Sequence, residues 1–277
     1  MESNDFQSTQ VFKIKQGDTD EKVFPLYDLS IKRDGKLEHD PTPIEIKQNV
    51  SANCLSVKDR LQQSQEIHQE EIAIVGYGPT LKETWPSLKN YQTIISTSGA
   101  HKFLLDRDIV PTYHVDIDYR ERKAVHLIES HSDVVYLLCS TVHPKMVSNV
   151  GSNRLKLWHS DFEGLTYPDG ELCLPGYWDV GQQAILVASS LGYQNQHLFG
   201  FDYSFEIDTD KTHAGFHNAP ERVRVMAKVG DKYFPTSDDM VRGVLTFIKL
   251  MEDNPNLTLT IHSDGLLSNY LKYHFSK

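Results

Sequence analysis

The sequence lacks the features of secreted proteins, membrane-spanning proteins and proteins stabilised by a structural metal ion. It has only three cysteines in 277 residues and no Cys-x-x-Cys pair, so neither a disulfide framework nor a structural zinc site is indicated. Its apolar runs are far shorter than the roughly 20 residues that cross a bilayer, and its first residues do not form a signal peptide. These absences predict a cytoplasmic protein with no membrane span.

Basic charge is scarce as well. The formal net charge is -10, whereas nonspecific binding to duplex nucleic acid requires a basic surface. Nonspecific binding to duplex nucleic acid is therefore disfavoured, but the net charge does not exclude a local basic patch. With 39% apolar and 24% charged residues, the composition is that of an ordinary globular protein that can bury a full core.

Several familiar catalytic signatures are missing. No Gly-Lys-Ser/Thr follows a glycine turn, which argues against a Walker loop, and no Gly-x-Ser-x-Gly elbow indicates a serine hydrolase. The dinucleotide fingerprint is incomplete, because Leu81 stands where its third glycine belongs and the strand at 93–97 ends without a ribose-binding acid. An NAD enzyme is disfavoured for this reason.

One glycine-rich turn is nevertheless prominent. A buried strand at 71–75 runs into this turn, which then opens a helix. In an α/β protein such a turn leaves bare backbone N–H groups at the carboxyl edge of the sheet, where a phosphate can bind. The turn predicts a nucleotide site, although many such glycines only make tight turns. Its residues are Gly76, Tyr77, Gly78, Pro79 and Thr80.

From residue 71 onward, apolar strands alternate with amphipathic helices. This alternation predicts an α/β fold with a doubly wound, mostly parallel, Rossmann-like sheet. A loop at 164–176 precedes a helix with a buried stripe from Val180 to Ala188, and a hairpin turns at 230–231. We expect strands at 72–76, 93–97, 112–117, 134–139, 154–158, 196–199 and 257–261, and helices at 80–89, 100–106, 120–129 and 143–148.

The polar N-terminal part predicts a separate small extension. Possible strands at 11–14 and 23–26 would form a hairpin, and Ser51 can cap a helix that leads into the first core strand. We therefore expect two parts, an N-terminal extension (1–70) and a Rossmann-like catalytic domain (71–277).

Polar residues follow four of the predicted strands. Since carboxyl ends of parallel strands meet at one edge, we expect these residues to share one crevice. Asp116 and Asp118 alternate on a strand and could hold Mg²⁺ or Mn²⁺, or one could cap a helix while the other is solvated. Besides the glycine turn, the residues are Ser98, Gly99, Asp116, Asp118, Asp202 and Tyr203.

A histidine-containing loop follows the last of these strand ends. His213 could act as a general base near neutral pH, or be a surface histidine without a role. His217 lies four residues further on, but Gly215 and Pro220 oppose the helix that a zinc pair would need. Asp202 and Tyr203 could contact a sugar or base, or Asp202 could cap a loop.

Taken together, these segments resemble the 6-hydroxymethylpterin diphosphokinase-like (MptE-like) family. That family includes the Maf glycosyltransferases that modify flagellin, and its arrangement is similar to that of bacterial sialyltransferases. Two residues depart from these relatives, because Tyr77 and Ser98 stand where asparagines are usual. The resemblance rests on Gly-Tyr-Gly-Pro-Thr-Leu at 76–81, Ser-Gly-Ala-His at 98–101, Tyr-His-Val-Asp-Ile-Asp at 113–118, His-Leu-Phe-Gly-Phe-Asp at 197–202 and Thr-His-Ala at 212–214.

The resemblance implies a nucleotide-sugar-dependent glycosyltransferase. The glycine turn, Ser98, Gly99, Asp202 and Tyr203 would then hold a CMP- or UDP-linked donor, and His213 would be the catalytic base. Asp118 would be catalytic through a metal shared with Asp116. The acceptor would be a glycan, a protein or a modified nucleic acid. The sequence also leaves open whether the protein forms a homo-oligomer. Two alternatives remain, an ATP- and Mg²⁺-dependent pyrophosphokinase acting on a pterin alcohol and a non-catalytic nucleotide-binding subunit.

Overall fold

The computed structural model describes residues 11–13, 41–151, 154–162, 164–206, 209, 211–215 and 224–275. Eleven strands lie in these ranges. They are β1 (Val11–Lys13), β2 (Ile72–Val75), β3 (Thr93–Thr97), β4 (Tyr113–Asp116), β5 (Val135–Cys139), β6 (Leu155–Ser160), β7 (Cys173–Leu174), β8 (Asn195–Phe199), β9 (Arg224–Val229), β10 (Lys232–Ser237) and β11 (Thr258–His262).

The same ranges contain seven α-helices and two 3₁₀ helices. No helix among them is both long enough and apolar enough to span a membrane. The α-helices are α1 (Pro43–Ser56), α2 (Leu81–Thr84), α3 (Ala100–Leu105), α4 (Pro144–Val150), α5 (Val180–Ser190), α6 (Asp238–Asp253) and α7 (Leu266–Phe275), and the 3₁₀ helices are Trp85–Asn90 and Glu121–Leu127.

The main sheet has eight strands in the order β11-β8-β2-β3-β4-β5-β6-β7, and every neighbouring pair is parallel. The chain enters at β2, moves outward to β7 and then returns to β8 on the other side of β2. The order therefore reverses between β2 and β8, where doubly wound sheets bind their ligands. The predicted α/β fold is confirmed.

The central strand packs on both faces. Ile72 and Ile74 of β2 belong to the larger hydrophobic cluster, which includes residues of α5 and α6. Ala73 and Val75 point the other way, into a smaller cluster with residues of α3. Because both faces are buried, β2 reads as one continuous apolar run, which is typical of a parallel sheet covered by helices.

α1 begins earlier than the sequence analysis predicts. Thr42 caps it and forms a capping box with Glu45, while Pro43 occupies the first turn. Ser51 lies inside the helix, so the expectation that it caps the helix is wrong. The Thr-Pro-x-Glu pattern is the stronger start signal, because it satisfies two orphan amides and fixes the first backbone angle.

Three other segments also differ from expectation. The predicted helix at 80–89 is divided between α2 and the 3₁₀ helix Trp85–Asn90, and the predicted helix at 120–129 is the 3₁₀ helix Glu121–Leu127. The loop at 164–176 contains the short strand β7. A two-residue edge strand carries no periodic signal that a sequence analysis can detect.

A second sheet contains β1, β9 and β10. β9 and β10 form the predicted hairpin, and Gly230 in its turn has φ +57°. β1 pairs in parallel with β9. The strand predicted at 23–26 lies outside the described residues, and the division of the chain at residue 70 stays a prediction.

Two asparagines one helical turn apart form hydrogen bonds between α1 and the loops at the carboxyl edge of the main sheet. Asn49 and Asn53 are buried, and each side-chain amide donates to two backbone carbonyls in the loops after β4 and β5. The four donor–acceptor distances lie between 2.7 and 3.3 Å. The accepting residues are Tyr119, Ser140, Thr141 and Val142.

Asn53→Ala is expected to destabilise the protein by about 2–3 kcal/mol, because it leaves two buried carbonyls without their donor. Urea unfolding measures this loss. Ser51→Ala is the control in the same helix, and it should change the unfolding free energy by less than about 0.5 kcal/mol. If Asn53→Ala costs no more than Ser51→Ala, the two hydrogen bonds of the Asn53 amide do not stabilise the fold.

Candidate functional site

Glycines bring the loops after β2 and β8 into direct backbone contact. The Gly76 amide donates to the Phe199 carbonyl at 2.8 Å, and the Gly78 amide donates to the Gly200 carbonyl at 2.9 Å. A Cβ on Gly76 would lie 2.8 Å from the Gly200 oxygen, which is closer than real side chains approach. The turn is therefore glycine-rich because two loops meet at the point where the strand order reverses.

The glycine turn offers fewer bare N–H groups than the sequence predicts. The Gly78 amide is bonded to Gly200, and the Thr80 amide donates to Asp202 Oδ2 at 3.2 Å. A Cβ on Gly78 would overlap the same carboxylate. The expectation of bare amides is wrong at these two positions, because the Gly200 carbonyl accepts from the Gly78 amide and the Asp202 carboxylate accepts from the Thr80 amide. The binding roles of residues 76–80 stay predictions.

Asp202 carries a buried carboxyl group with one unsatisfied oxygen. It is only 2% exposed, and within the described ranges neither Asp202 Oδ1 nor Thr80 Oγ1 has a hydrogen-bond partner. Burial raises the pKa of Asp202 from 3.8 to about 6, although the hydrogen bond that the Thr80 amide donates to its Oδ2 favours the ionised form. A buried carboxyl group with an unsatisfied oxygen and a raised pKa, at the point where the strand order reverses, is a candidate functional residue.

Two non-glycine residues at the strand ends have left-handed backbone angles. φ is +44° at Ser98 and +52° at Tyr203, and such conformations cost about 1–3 kcal/mol each. The Tyr203 hydroxyl donates to Asp179 at 2.6 Å and accepts from Gln182 at 3.1 Å. Strained residues therefore lie at the predicted site, and the contact of Tyr203 with a sugar or base stays a prediction.

Tyr77 connects the glycine turn to two other loops. Its ring lies directly beside Gly99, and its centroid is 5.4 Å from that of His213. The Ala214 amide donates to the Tyr77 carbonyl at 3.0 Å. On the other side, His213 Nδ1 lies 2.7 Å from Thr212 Oγ1. The predicted base is thus in contact with the predicted donor loop.

Asp116 is fully buried at the end of β4. Its Oδ1 accepts from the amides of Ile117 and Asp118 at 2.8 and 3.0 Å. Its Oδ2 lies 3.8 Å from His114 Nε2 and 3.6 Å from His126 Nδ1. Burial alone would raise the pKa of Asp116, but the two imidazoles hold it well below its ordinary range. This carboxylate therefore shapes the turn after β4.

Asp118 has a different partner. Its two oxygens accept from Arg120 Nε at 2.8 Å and Nη2 at 2.6 Å, which makes a bidentate ion pair. The described ranges hold no group of three or more His, Cys, Asp or Glu placed to bind a metal. The metal role of Asp116 and Asp118 and the catalytic role of Asp118 stay predictions.

An open cleft of about 750 Å³ lies beside these loops, between α1, the 3₁₀ helix Glu121–Leu127 and α4. Neither the glycine turn nor His213 lines it. Sequence reasoning missed the cleft, although the charged run from Arg120 to Arg122 directly after the aspartate pair was an available signal. Its lining includes Arg120, Arg122, His143 and Lys145, together with the acids Glu45 and Glu121.

A family model described as 6-hydroxymethylpterin diphosphokinase MptE-like matches residues 45–208. This is more than half of the chain. The chain belongs to the MptE-like family. The matched region of this MptE-like protein contains the loops after β2, β3, β4 and β8 and ends before His213, so the family match covers the glycine turn but not the predicted base.

This MptE-like protein also shares its fold with a solved glycosyltransferase. The Maf glycosyltransferase from Magnetospirillum magneticum AMB-1 aligns with 80% of this chain at a TM-score of 0.63 and 20% identity, but the chain spans only 36% of that protein's length. Two mammalian sialyltransferase structures, one in complex with Gal-beta-1-3GalNAc-ortho-nitrophenol, align with 79% and 81% of this chain and 80% and 82% of their own. Their TM-scores are 0.39 and 0.36, at 10% and 12% identity. No curated protein matches.

The MptE-like protein thus brings most of the predicted site residues to one sheet edge, but in two groups. The glycine turn, Gly99, Asp202 and His213 form the first group, around the ends of β2, β3 and β8. Asp116 and Asp118 form the second, near the cleft. His217 lies outside the described residues. Sequence periodicity placed these residues at strand ends but did not show which side chains face one another.

Asp202→Asn tests whether burial keeps this carboxyl group neutral in the MptE-like protein. Its pKa rises from 3.8 to about 6 on folding, so the folded state holds an extra proton between these values and loses stability as the pH rises through them. The asparagine does not titrate. As the pH rises from 3.8 to about 6, the unfolding free energy of the variant relative to that of the wild type should therefore increase, by up to about 3 kcal/mol.

Urea unfolding of both proteins between pH 4 and pH 7.5 measures this difference. Asp231→Asn is the control, because Asp231 is exposed in the turn between β9 and β10. If the Asp202→Asn difference stays constant with pH, the raised pKa is refuted.

Proposed function

We propose that this protein is a glycosyltransferase that moves a sugar from a nucleotide-sugar donor to an acceptor hydroxyl. The contact between Tyr77 of the glycine turn and His213 of the late loop carries the proposal, because it places a candidate base beside the candidate donor site. The fold shared with the Maf glycosyltransferase supports the same activity.

The donor would bind at the reversal point of the sheet. Pro79, Thr80 and Ser98 would surround its phosphates, while the unsatisfied Asp202 Oδ1 is suited to accept from a sugar or base hydroxyl or N–H. A CMP- or UDP-linked sugar meets these requirements. No step of the reaction proposed below uses a metal ion.

His213 would act as the general base. It would take the proton from the acceptor hydroxyl while the acceptor oxygen forms a bond to the anomeric carbon of the sugar. The bond between that carbon and the donor phosphate breaks, and the nucleotide leaves with the bonding electrons. Thr212, 2.7 Å from Nδ1, would hold the imidazole in its orientation during the transfer.

The acceptor class stays open among glycans, proteins and modified nucleic acids, and the net charge of -10 makes the last of these least favourable. Homo-oligomerisation also stays open. A non-catalytic nucleotide-binding subunit would bind the donor without turnover, so binding and turnover must be measured separately.

His213→Gln is expected to lower turnover of the preferred donor by roughly 100-fold or more while donor affinity stays within about threefold, because the base acts only in the transition state. Thermal shift and hydrolysis with CMP-sugars, UDP-sugars and ATP first identify the donor. His68→Gln, at a partly exposed histidine outside this crevice, is the control. Unchanged turnover in His213→Gln would remove His213 from the mechanism.

A second candidate function is pyrophosphoryl transfer from ATP to a pterin alcohol, as the description of the family model indicates. The cleft favours it, because Arg120, Arg122 and Lys145 supply cations that the glycine turn lacks. Positioning and charge neutralisation dominate phosphoryl transfer. A triphosphate bound in the cleft would replace Asp118 at Arg120 and Glu121 at Lys145.

Arg122→Gln separates the two candidates. If the cleft binds ATP, the variant should weaken ATP binding by roughly tenfold, measured by calorimetry, and ATP consumption with a pterin alcohol should fall in parallel. Arg242→Gln, at an exposed arginine of α6 paired with Asp238, is the control. Equal ATP affinity in the wild type and Arg122→Gln would argue against the cleft as a triphosphate site.

A further inference from the structure

The ring of Tyr77 lies in a slot between two glycines from different loops. A Cβ on Gly99 would lie 2.6 Å from the ring, and a Cβ on Gly215 would overlap its hydroxyl. φ at Gly99 is -64°, and Gly215 is not among the described glycines with positive φ. Close approach of the tyrosine, rather than a special backbone angle, therefore explains why both positions are glycine.

The slot is closed on a further side by Phe103 of α3. The two rings meet edge to face at 6.1 Å and 66°, a favourable aromatic geometry. Tyr77, Phe103 and Ala214 belong to the same small hydrophobic cluster. Burial raises the pKa of the Tyr77 hydroxyl, so the ring stays neutral in this packing. The tyrosine is held as a packed side chain and not as a mobile surface group.

His213 is linked to this packed ring in two ways. Its imidazole lies beside the ring at an interplanar angle of 37°, and the amide of the next residue, Ala214, donates to the carbonyl of Tyr77 at 3.0 Å. The glycine turn and the late loop are separated by more than 130 residues in the chain, so these contacts determine where the imidazole lies relative to the turn.

We propose that Tyr77 is the positioning residue of this site, holding His213 against the glycine turn by its packing between Gly99 and Gly215. This inference rests on the proposed role of His213 as the base.

Backbone exchange tests the positioning without any substrate. In Tyr77→Ala the Ala214 amide should exchange with solvent roughly tenfold faster or more, whereas Tyr77→Phe, which keeps the packed ring, should stay close to the wild type. Tyr233→Ala, at a half-exposed tyrosine of β10, is the control. If Tyr77→Ala leaves Ala214 exchange unchanged, the proposal is overturned.

Kinetics with the donor identified above test the consequence for catalysis. Tyr77→Ala should lower kcat by roughly 10- to 100-fold and change the donor KM little, because displacement of the base affects the reacting geometry. Tyr77→Phe should restore most of kcat. A loss in KM alone would make Tyr77 a donor contact and refute the positioning role. If the wild type turns over no donor, the proposed function fails while the exchange result still decides whether Tyr77 holds the loop.

A double-mutant cycle provides an independent test of the slot. Gly215→Ala alone should lower the melting temperature and speed Ala214 exchange, because the added methyl overlaps the ring. In the Tyr77→Ala background the same substitution should have little further effect, since the overlap is removed. Additive effects would mean that Gly215 and Tyr77 act separately, which contradicts the proposal.

Discussion

The close backbone contact between the loops after β2 and β8 is the constraint on which the rest of the site depends. These neighbouring strands lie where the strand order reverses, so no connection covers the space between their carboxyl ends. Gly76, Gly78 and Gly200 allow the two loops to touch, and this contact brings the Asp202 carboxylate against the turn. The turn then places Tyr77 where it reaches the loops of Gly99 and His213.

Much of the fold could be predicted because buried parallel strands read as continuous apolar runs. β2 to β6, β8 and the hairpin of β9 and β10 lie close to where the sequence placed them. The errors have local causes. Ser51 has the side chain of a capping residue, but Thr42 and Glu45 form the capping box that begins α1. β7 is too short to show a period. Whether a segment forms an α-helix or a 3₁₀ helix depends on tertiary packing, which a single sequence does not show.

The site could be predicted at the level of strand ends but not of side-chain directions. Alternation put Asp116 and Asp118 near one another, yet one is held by backbone amides and imidazoles and the other by Arg120. The turn predicted a phosphate site, yet Asp202, more than 120 residues later, bonds to Thr80. Partners so far apart in the chain are fixed by tertiary packing, which local patterns do not encode.

The asparagines of α1 have a practical consequence for work on this protein. Composition places a boundary near residue 70, but α1 lies before that boundary and supplies the donors for four carbonyls in the loops after β4 and β5. Asn49 also lines the cleft itself. A shortened chain that starts at the first strand of the main sheet would lose one wall of the cleft, so ligand screens on such a fragment would report on an incomplete surface.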